Sequence, residues 1–281
     1  MTELDKRMYV FTSDLADIRL QGKVDADRFV SGTAVQFVAP YSAMHGTAQS
    51  NSMQLTQALM GETALMFENQ NGWAWVQLDD DGYVGYVRSE TISETILPTT
   101  HIVRASLTLL YPKADLKSQT VQYLPMNAKL CVLGEEGPYS ELATGGYVFT
   151  KHIDAANVHQ TDYVSIAEKF LNVTYLWGGK TQLGLDCSGL VQVALQATGV
   201  AAPRDTDMQE KSLGAELLIN DLDGLKRGDL VFWEGHVGIM YDESNLLHAN
   251  GFHMQTVIEP LKLAATRIAE SHKPITSLKR L

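Results

Sequence analysis

The chain has 281 residues and a mass of 31.0 kDa, with 45% hydrophobic and 20% charged residues; by size it makes about two domains and buries roughly 70% of its extended surface. Lys plus Arg number 22 against 33 Asp plus Glu, a formal net charge of -11, and no basic cluster offers the counterion release that nucleic-acid binding needs. No run approaches the ~18 apolar residues that span a bilayer, and the opening MTELDKRMYVFTSDLAD has acids where a signal peptide has its apolar core.

These features lead us to expect a monomeric cytoplasmic protein with neither nucleic acid nor membrane as partner. Two cysteines, Cys131 and Cys187, cannot build a disulfide framework, which fits a reducing compartment. The chain has no CxxC pair, no HExxH helix and no GxxxxGK[ST] loop, so no metal and no cofactor is expected.

Residues 1–32 carry no functional signal and read as an arm packed on the β modules. From 33 to about 156, short runs rich in Val, Thr, Leu, Tyr and Trp are broken by Gly, Asn, Asp and Pro, which predicts small all-β units. Asn71-Gly72-Trp73-Ala74-Trp75-Val76 leads through Asp79-Asp80-Asp81-Gly82 into Tyr83-Val84-Gly85-Tyr86-Val87, a hairpin pattern with a glycine turn. Gly137-Pro138-Tyr139-Ser140-Glu141-Leu142, Gly145-Gly146 and Tyr147-Val148-Phe149 echo it about 65 residues on, as two copies of one ~60-residue module would. The expected division is 33–97 for the first module and 98–156 for the second.

Residues 157–281 change character. Tyr163–Leu171 has helical apolar spacing, and Cys187–Thr198 is a second helix with Asp186 as N-cap and Gly199 as stop. Asp229–Trp233, Val237–Tyr241 and Leu246–Asn250 read as strands, with a turn at 242–245. Helices followed by an antiparallel sheet make an α+β domain.

A cysteine at position 187 opens a helix, where unpaired amides and the positive end of the dipole favour thiolate over thiol and can face an oxyanion. Such a nucleophile needs a proton acceptor. His236 and His248, twelve residues apart on successive strands, can come together on one sheet face, one as base and the other orienting its ring. Cys131, between Leu130 and Val132 in a strand-like run, reads as buried and inert. His45, His101, His152, His159, His253 and His272 have no motif around them and read as surface or loop residues.

YLWGG, GLDCSGLVQ, PRDTDMQ, RGDLVFW, GHVGIM and LLHANG, in this order over residues 160–281, resemble the NlpC family of papain-like cysteine peptidases. The resemblance implies a multidomain protein, two small all-β SH3-like barrels followed by an α+β papain-like catalytic domain, acting on bacterial cell-wall peptides. It matches Cys187 to the nucleophile, His236 to the general base and His248 to the orienting residue. The chain is further similar to the subgroup with N-terminal bacterial SH3-like domains, γ-D-glutamyl-L-diamino-acid endopeptidases of murein recycling.

That likeness implies a murein tripeptide or tetrapeptide substrate, L-Ala-γ-D-Glu-diaminopimelate, with a free N-terminal alanine. It puts Tyr175 at the oxyanion site, Asp205 on the substrate amine, Ser188 among the substrate contacts, and Tyr83 as a wall of the amine pocket. Arg204, Thr206 and Trp177 of the same motifs are further expected substrate contacts, although Trp177 reads by itself as a packing aromatic, and Thr206 stands where the subgroup often has serine. Three readings compete with this one: a wall-peptide binding protein with a degenerate peptidase domain, an acyltransferase or amidase on the same fold, and a zinc site formed by Cys187, His236 and His248.

Overall fold

The computed structural model describes residues 4–218, 222–271 and 274–281; His272, expected at the surface, lies outside them. The chain divides into two compact units, Met1–Asn157 and Val158–Leu281.

The first unit is built almost entirely of strands, as its β-branched and aromatic runs dictate. Seven of them form one antiparallel sheet in the order Gln54–Leu59, Tyr41–His45, Val84–Arg88, Trp73–Leu78, Thr63–Gln70, Thr33–Phe37 and Ile92–Ser93. Its core gathers Val35, Phe37, Met44, Val76, Leu78, Tyr83 and Val87. The hairpin read from residues 71–87 is the central pair, with Trp73 opposite Arg88 and Gln77 opposite Val84. The N-terminal arm contributes a parallel pair, Leu15–Asp17 with Arg28–Val30. Val10 and Leu15 pack with Phe67, Trp75 and Val84, and Arg28 pairs with Glu68 at 2.5 Å.

Residues 101–155 build three smaller sheets around a second core of Val103, Leu110, Leu124, Leu130, Leu142, Val148 and Ile153. The echoed hairpin is present there as Tyr139–Leu142 paired with Tyr147–Phe149. Cys131 lies where one strand ends at Leu130 and the next begins at Val132; it is only half-buried and lines a cleft with Gly61, Lys129 and Thr144, which corrects the expectation of a buried thiol. His45 and His101 likewise sit half-buried inside strands and not in loops.

In the second unit, helix α1 (Tyr163–Glu168) is capped by Asp162, whose carboxylate accepts from the Val164 and Ser165 amides. It is shorter than predicted because Phe170 and Leu171 bond three residues back, to Ala167 and Glu168, closing tight 3-10 turns. Helix α2 (Cys187–Ala197) is buried on nearly every side, so its apolar content is core packing. Helices α3 (Thr206–Ser212) and α4 (Leu261–Ser271) complete the set.

The sheet of this unit has strands β1 (Ala215–Glu216), β2 (Leu230–Trp233), β3 (His236–Met240), β4 (Asn245–Asn250), β5 (Gln255–Pro260) and β6 (Ser277–Arg280), in the spatial order β1-β6-β2-β3-β4-β5. Every neighbouring pair is antiparallel. Val231, Trp233, Met240, Leu246 and Leu278 from the sheet pack with Leu261 and Ala264 of α4. Among the described residues no helix is long and apolar enough to cross a membrane.

Candidate active site

Cys187 is the first residue of α2, and the N-cap Asp186 holds it there. One Asp186 oxygen accepts from the Gly189 amide at 2.7 Å, and the other accepts from the Gly178 amide and from Arg204 Nη2, both at 2.7 Å. A carboxylate at a helix start satisfies otherwise unpaired amides and favours the dipole. The helix start also presses on the preceding loop: a Cβ on Gly189 would lie 2.2 Å from the Gly179 carbonyl oxygen, so only glycine fits this approach.

Cys187 itself is 6% exposed. Its sulfur lies 3.9 Å from Thr206 Oγ1, and the Val237 amide, next to His236, reaches it as a donor. Burial and the neighbouring Asp186 charge push the thiol up to about 11, outweighing the Val237 amide, the Thr206 hydroxyl and Arg204. The expected preference for thiolate at a helix start is therefore reversed, because desolvation penalises the charged form more than these donors favour it.

The histidines meet across the sheet. Ile239 faces Leu247 and Met240 faces Leu246, so the same register carried on brings His248 beside Gly238 and makes His236 its diagonal neighbour. His236 Nε2 and His248 Nδ1 are 2.8 Å apart, a hydrogen bond. His248 is wholly buried, and burial pulls its ring below the ordinary histidine value despite the adjacent carboxylate of Glu259. On its other side, His248 Nε2 lies 2.8 Å from Glu259 Oε1 of β5 and 3.0 Å from Asn250 Nδ2 of its own strand. Arg267 of α4 grips Glu259 with two bonds of 2.7 and 2.6 Å. Burial pushes the Glu259 carboxyl up, but the bonds from Arg267 and His248 win and hold it at about 2.

The remaining predicted residues fall into different surroundings. Tyr175 and Trp177 line a cleft of about 540 Å³ together with Glu234, His236, Phe252 and Arg267. Burial, then the nearby Cys187 and Asp186 charges, raise the Tyr175 hydroxyl, which stays a neutral donor. The chain around it is fixed by the Tyr175 amide bonding the Met254 carbonyl and the Leu176 amide bonding the Leu185 carbonyl. Trp177, 57% exposed, is no core aromatic. Asp205 is half-buried at the start of α3 and does not cap it with its side chain.

Ser188 and Arg204, expected among the substrate contacts, turn inward. Arg204 is 1% exposed and donates to Ser188 Oγ at 2.8 Å, to Asp186 and to the Gly179 carbonyl, bracing the loop under Cys187. Tyr83 is also corrected: it is 2% exposed and sits in the first unit's core with Phe37 and Val87, so its ring is engaged in packing. His236 and His248, the two histidines of the zinc reading, bond each other.

Residues 172–267 match the NlpC/P60 family, and residues 45–92 match the bacterial dipeptidyl-peptidase Sh3 domain. A γ-D-glutamyl-L-lysine dipeptidyl-peptidase of Bacillus subtilis is 30% identical over 233 residues, 74% of this chain and 76% of the relative. The chain belongs to the NlpC/P60 family. It is accordingly a cysteine peptidase with a bacterial SH3-like domain before the catalytic one. The Bacillus cereus protein of the same name is 25% identical over 73% of this chain and 70% of its own length. A crystal structure of an NlpC/P60 family protein from Bacillus cereus ATCC 10987 shares the fold, with a TM-score of 0.72 and 17% identity over 88% of this chain and 99% of that one.

Cys187, His236 and His248 all lie inside the matched segment, as do two residues that sequence reasoning passed over, Glu259 and Arg267. Asn250 carried a signal, since it stands two residues after His248 in LLHANG and a strand repeats its face every second residue. Glu259 carried none, because its place beside His248 depends on the register between β4 and β5.

Proposed function

We propose that this peptidase hydrolyses the γ-D-glutamyl-L-diamino-acid bond of murein stem peptides that have a free N-terminal L-alanine. The observation that carries the reading is the pairing of Cys187 at a helix start, contacted by the Val237 amide, with a hydrogen-bonded His236–His248 couple on the adjoining strands. The relatives named γ-D-glutamyl-L-lysine dipeptidyl-peptidase support the substrate class.

In this reading His236 takes the Cys187 proton as the sulfur attacks the γ-glutamyl carbonyl, since the buried thiol is neutral at rest. The proton then passes to the departing amine. Tyr175 and the α2 amides donate to the oxyanion, and water releases the acyl group. Asp205 is the assigned partner of the substrate ammonium, because a cation in a closed pocket needs a carboxylate. Residues 98–156 are read as a second SH3-like module. A monomer in the cytoplasm would meet wall fragments already freed of sugar, which places the enzyme in recycling.

The test is mass spectrometry of products from L-Ala-γ-D-Glu-meso-diaminopimelate and from its N-acetylated form. Cleavage of the free tripeptide alone is the expected result; equal cleavage of both removes the amine requirement, and no cleavage of either removes the substrate assignment.

A further inference from the structure

The two histidines rest on a buried polar line that continues beyond them. His248 Nε2 has two neighbours that make opposite demands. Glu259 Oε1, at 2.8 Å, belongs to a carboxylate that Arg267 holds in two bonds, and a carboxylate can only accept. Asn250 Nδ2, at 3.0 Å, can only donate. The Asn250 amide is not free to turn over, because its Oδ1 accepts from the His253 backbone amide at 2.8 Å. His253 Nδ1 also lies 3.1 Å from that oxygen and 3.8 Å from Glu259 Oε1.

We infer that Glu259, fixed by Arg267, is a positioning residue that sets the tautomers of both histidines. The shorter, charge-assisted contact prevails over the neutral amide. His248 therefore keeps its proton on Nε2 and donates it to Glu259. Its Nδ1 is then a lone pair, which accepts the Nε2 proton of His236 across 2.8 Å. His236 is left with its lone pair on Nδ1, the nitrogen then set to take a thiol proton. When His236 becomes imidazolium, His248 Nδ1 still accepts from it, and Glu259 supplies the negative end of the line. No proton leaves His248 in this scheme.

The inference rests on the proposed role of His236 as base, yet its first readout needs no substrate. In the wild-type chain with isotope-labelled histidine, the ring nitrogen shifts of His248 should show Nε2 protonated and Nδ1 bare. Glu259→Gln keeps size and shape. Arg267 will hold the glutamine oxygen, so the amide and Asn250 both point donors at His248 Nε2. The tautomer then reverses to Nδ1–H, His236 must accept at Nε2, and its own proton moves to Nδ1, the wrong nitrogen for a base.

The expected outcome is that reversal together with a fall in kcat on the order of 100-fold at unchanged KM, since misplacing a general base costs catalysis and not binding. A His248 that carries its proton on Nδ1 in the wild type overturns the inference, as does a Glu259→Gln variant that keeps the wild-type tautomers and kcat. Should the variant not fold, the wild-type spectrum decides alone. Should the wild type cleave no murein tripeptide, the substrate proposal fails while the tautomer result still stands or falls by itself.

Discussion

Two carboxylate–arginine pairs lie under the two halves of the site, and they differ in what they hold. Asp186–Arg204 stands beneath the cysteine with side chains 8% and 1% exposed, and its bonds go to backbone and to Ser188, so it shapes the start of α2. Glu259–Arg267 stands behind the histidines at 13% and 24% exposed, and its carboxylate bonds an imidazole, so it acts on where a proton sits. The same chemical pair serves as a brace where its partners cannot titrate and as a control of tautomer where they can. The difference also shows in charge: Asp186 raises the Cys187 thiol, whereas Glu259 opposes the fall that burial imposes on His248.

The contrast breaks most visibly at the brace. Removing one partner of a buried pair leaves an uncompensated charge, which costs about 3–5 kcal/mol; Asp186→Ala should lose that much in urea unfolding, because Arg204 and the Gly178 and Gly189 amides lose their acceptor together. An unfolding midpoint equal to that of wild type would show that the pair does not hold the α2 start.

The second pair should yield a smaller loss of stability, and one that depends on pH. Partly exposed ion pairs contribute about 0–1 kcal/mol, so Arg267→Ala should stay within roughly that range. Glu259 is held at about 2, below its ordinary 4.5, so its contribution is complete above 4.5 and is lost as pH falls toward 2. Urea unfolding of wild type and Glu259→Gln should therefore differ at neutral pH and converge across that window. His248, held low by burial, adds an acid-side loss in both proteins, with the His253 ring and the Arg267 guanidinium the other groups facing Glu259. A difference constant from neutral pH down to 2 would contradict the role of the Glu259 charge.

Much of the site was legible because it is written in local pattern. The N-cap Asp186 followed by Cys187 needs only a helix start to be read, and the structure has the cysteine at the first position of α2. His236 and His248 needed only period-two strands and a short turn, although they meet on a diagonal and not directly opposed. What stayed hidden depends on packing. Arg204 stands in a motif that suggested substrate, but long-range closure of residues 178–204 surrounds its guanidinium with internal acceptors. Tyr83 sits in an aromatic hairpin where either face is plausible, and the side to which each residue turns is fixed by the sheet's core. Glu259 and Arg267 required the β4–β5 register and the following helix, neither of which the apolar spacing alone determines.

The most direct measurement is product mass after hydrolysis of the free tripeptide in water enriched in heavy oxygen, with wild type beside Cys187→Ala. The account predicts L-Ala-D-Glu carrying one heavy oxygen atom in its γ-carboxyl, together with unlabelled diaminopimelate, and a loss of turnover on the order of 10^6-fold in the variant. Cleavage at another bond, label in the diaminopimelate, or turnover that persists without the Cys187 sulfur would contradict it.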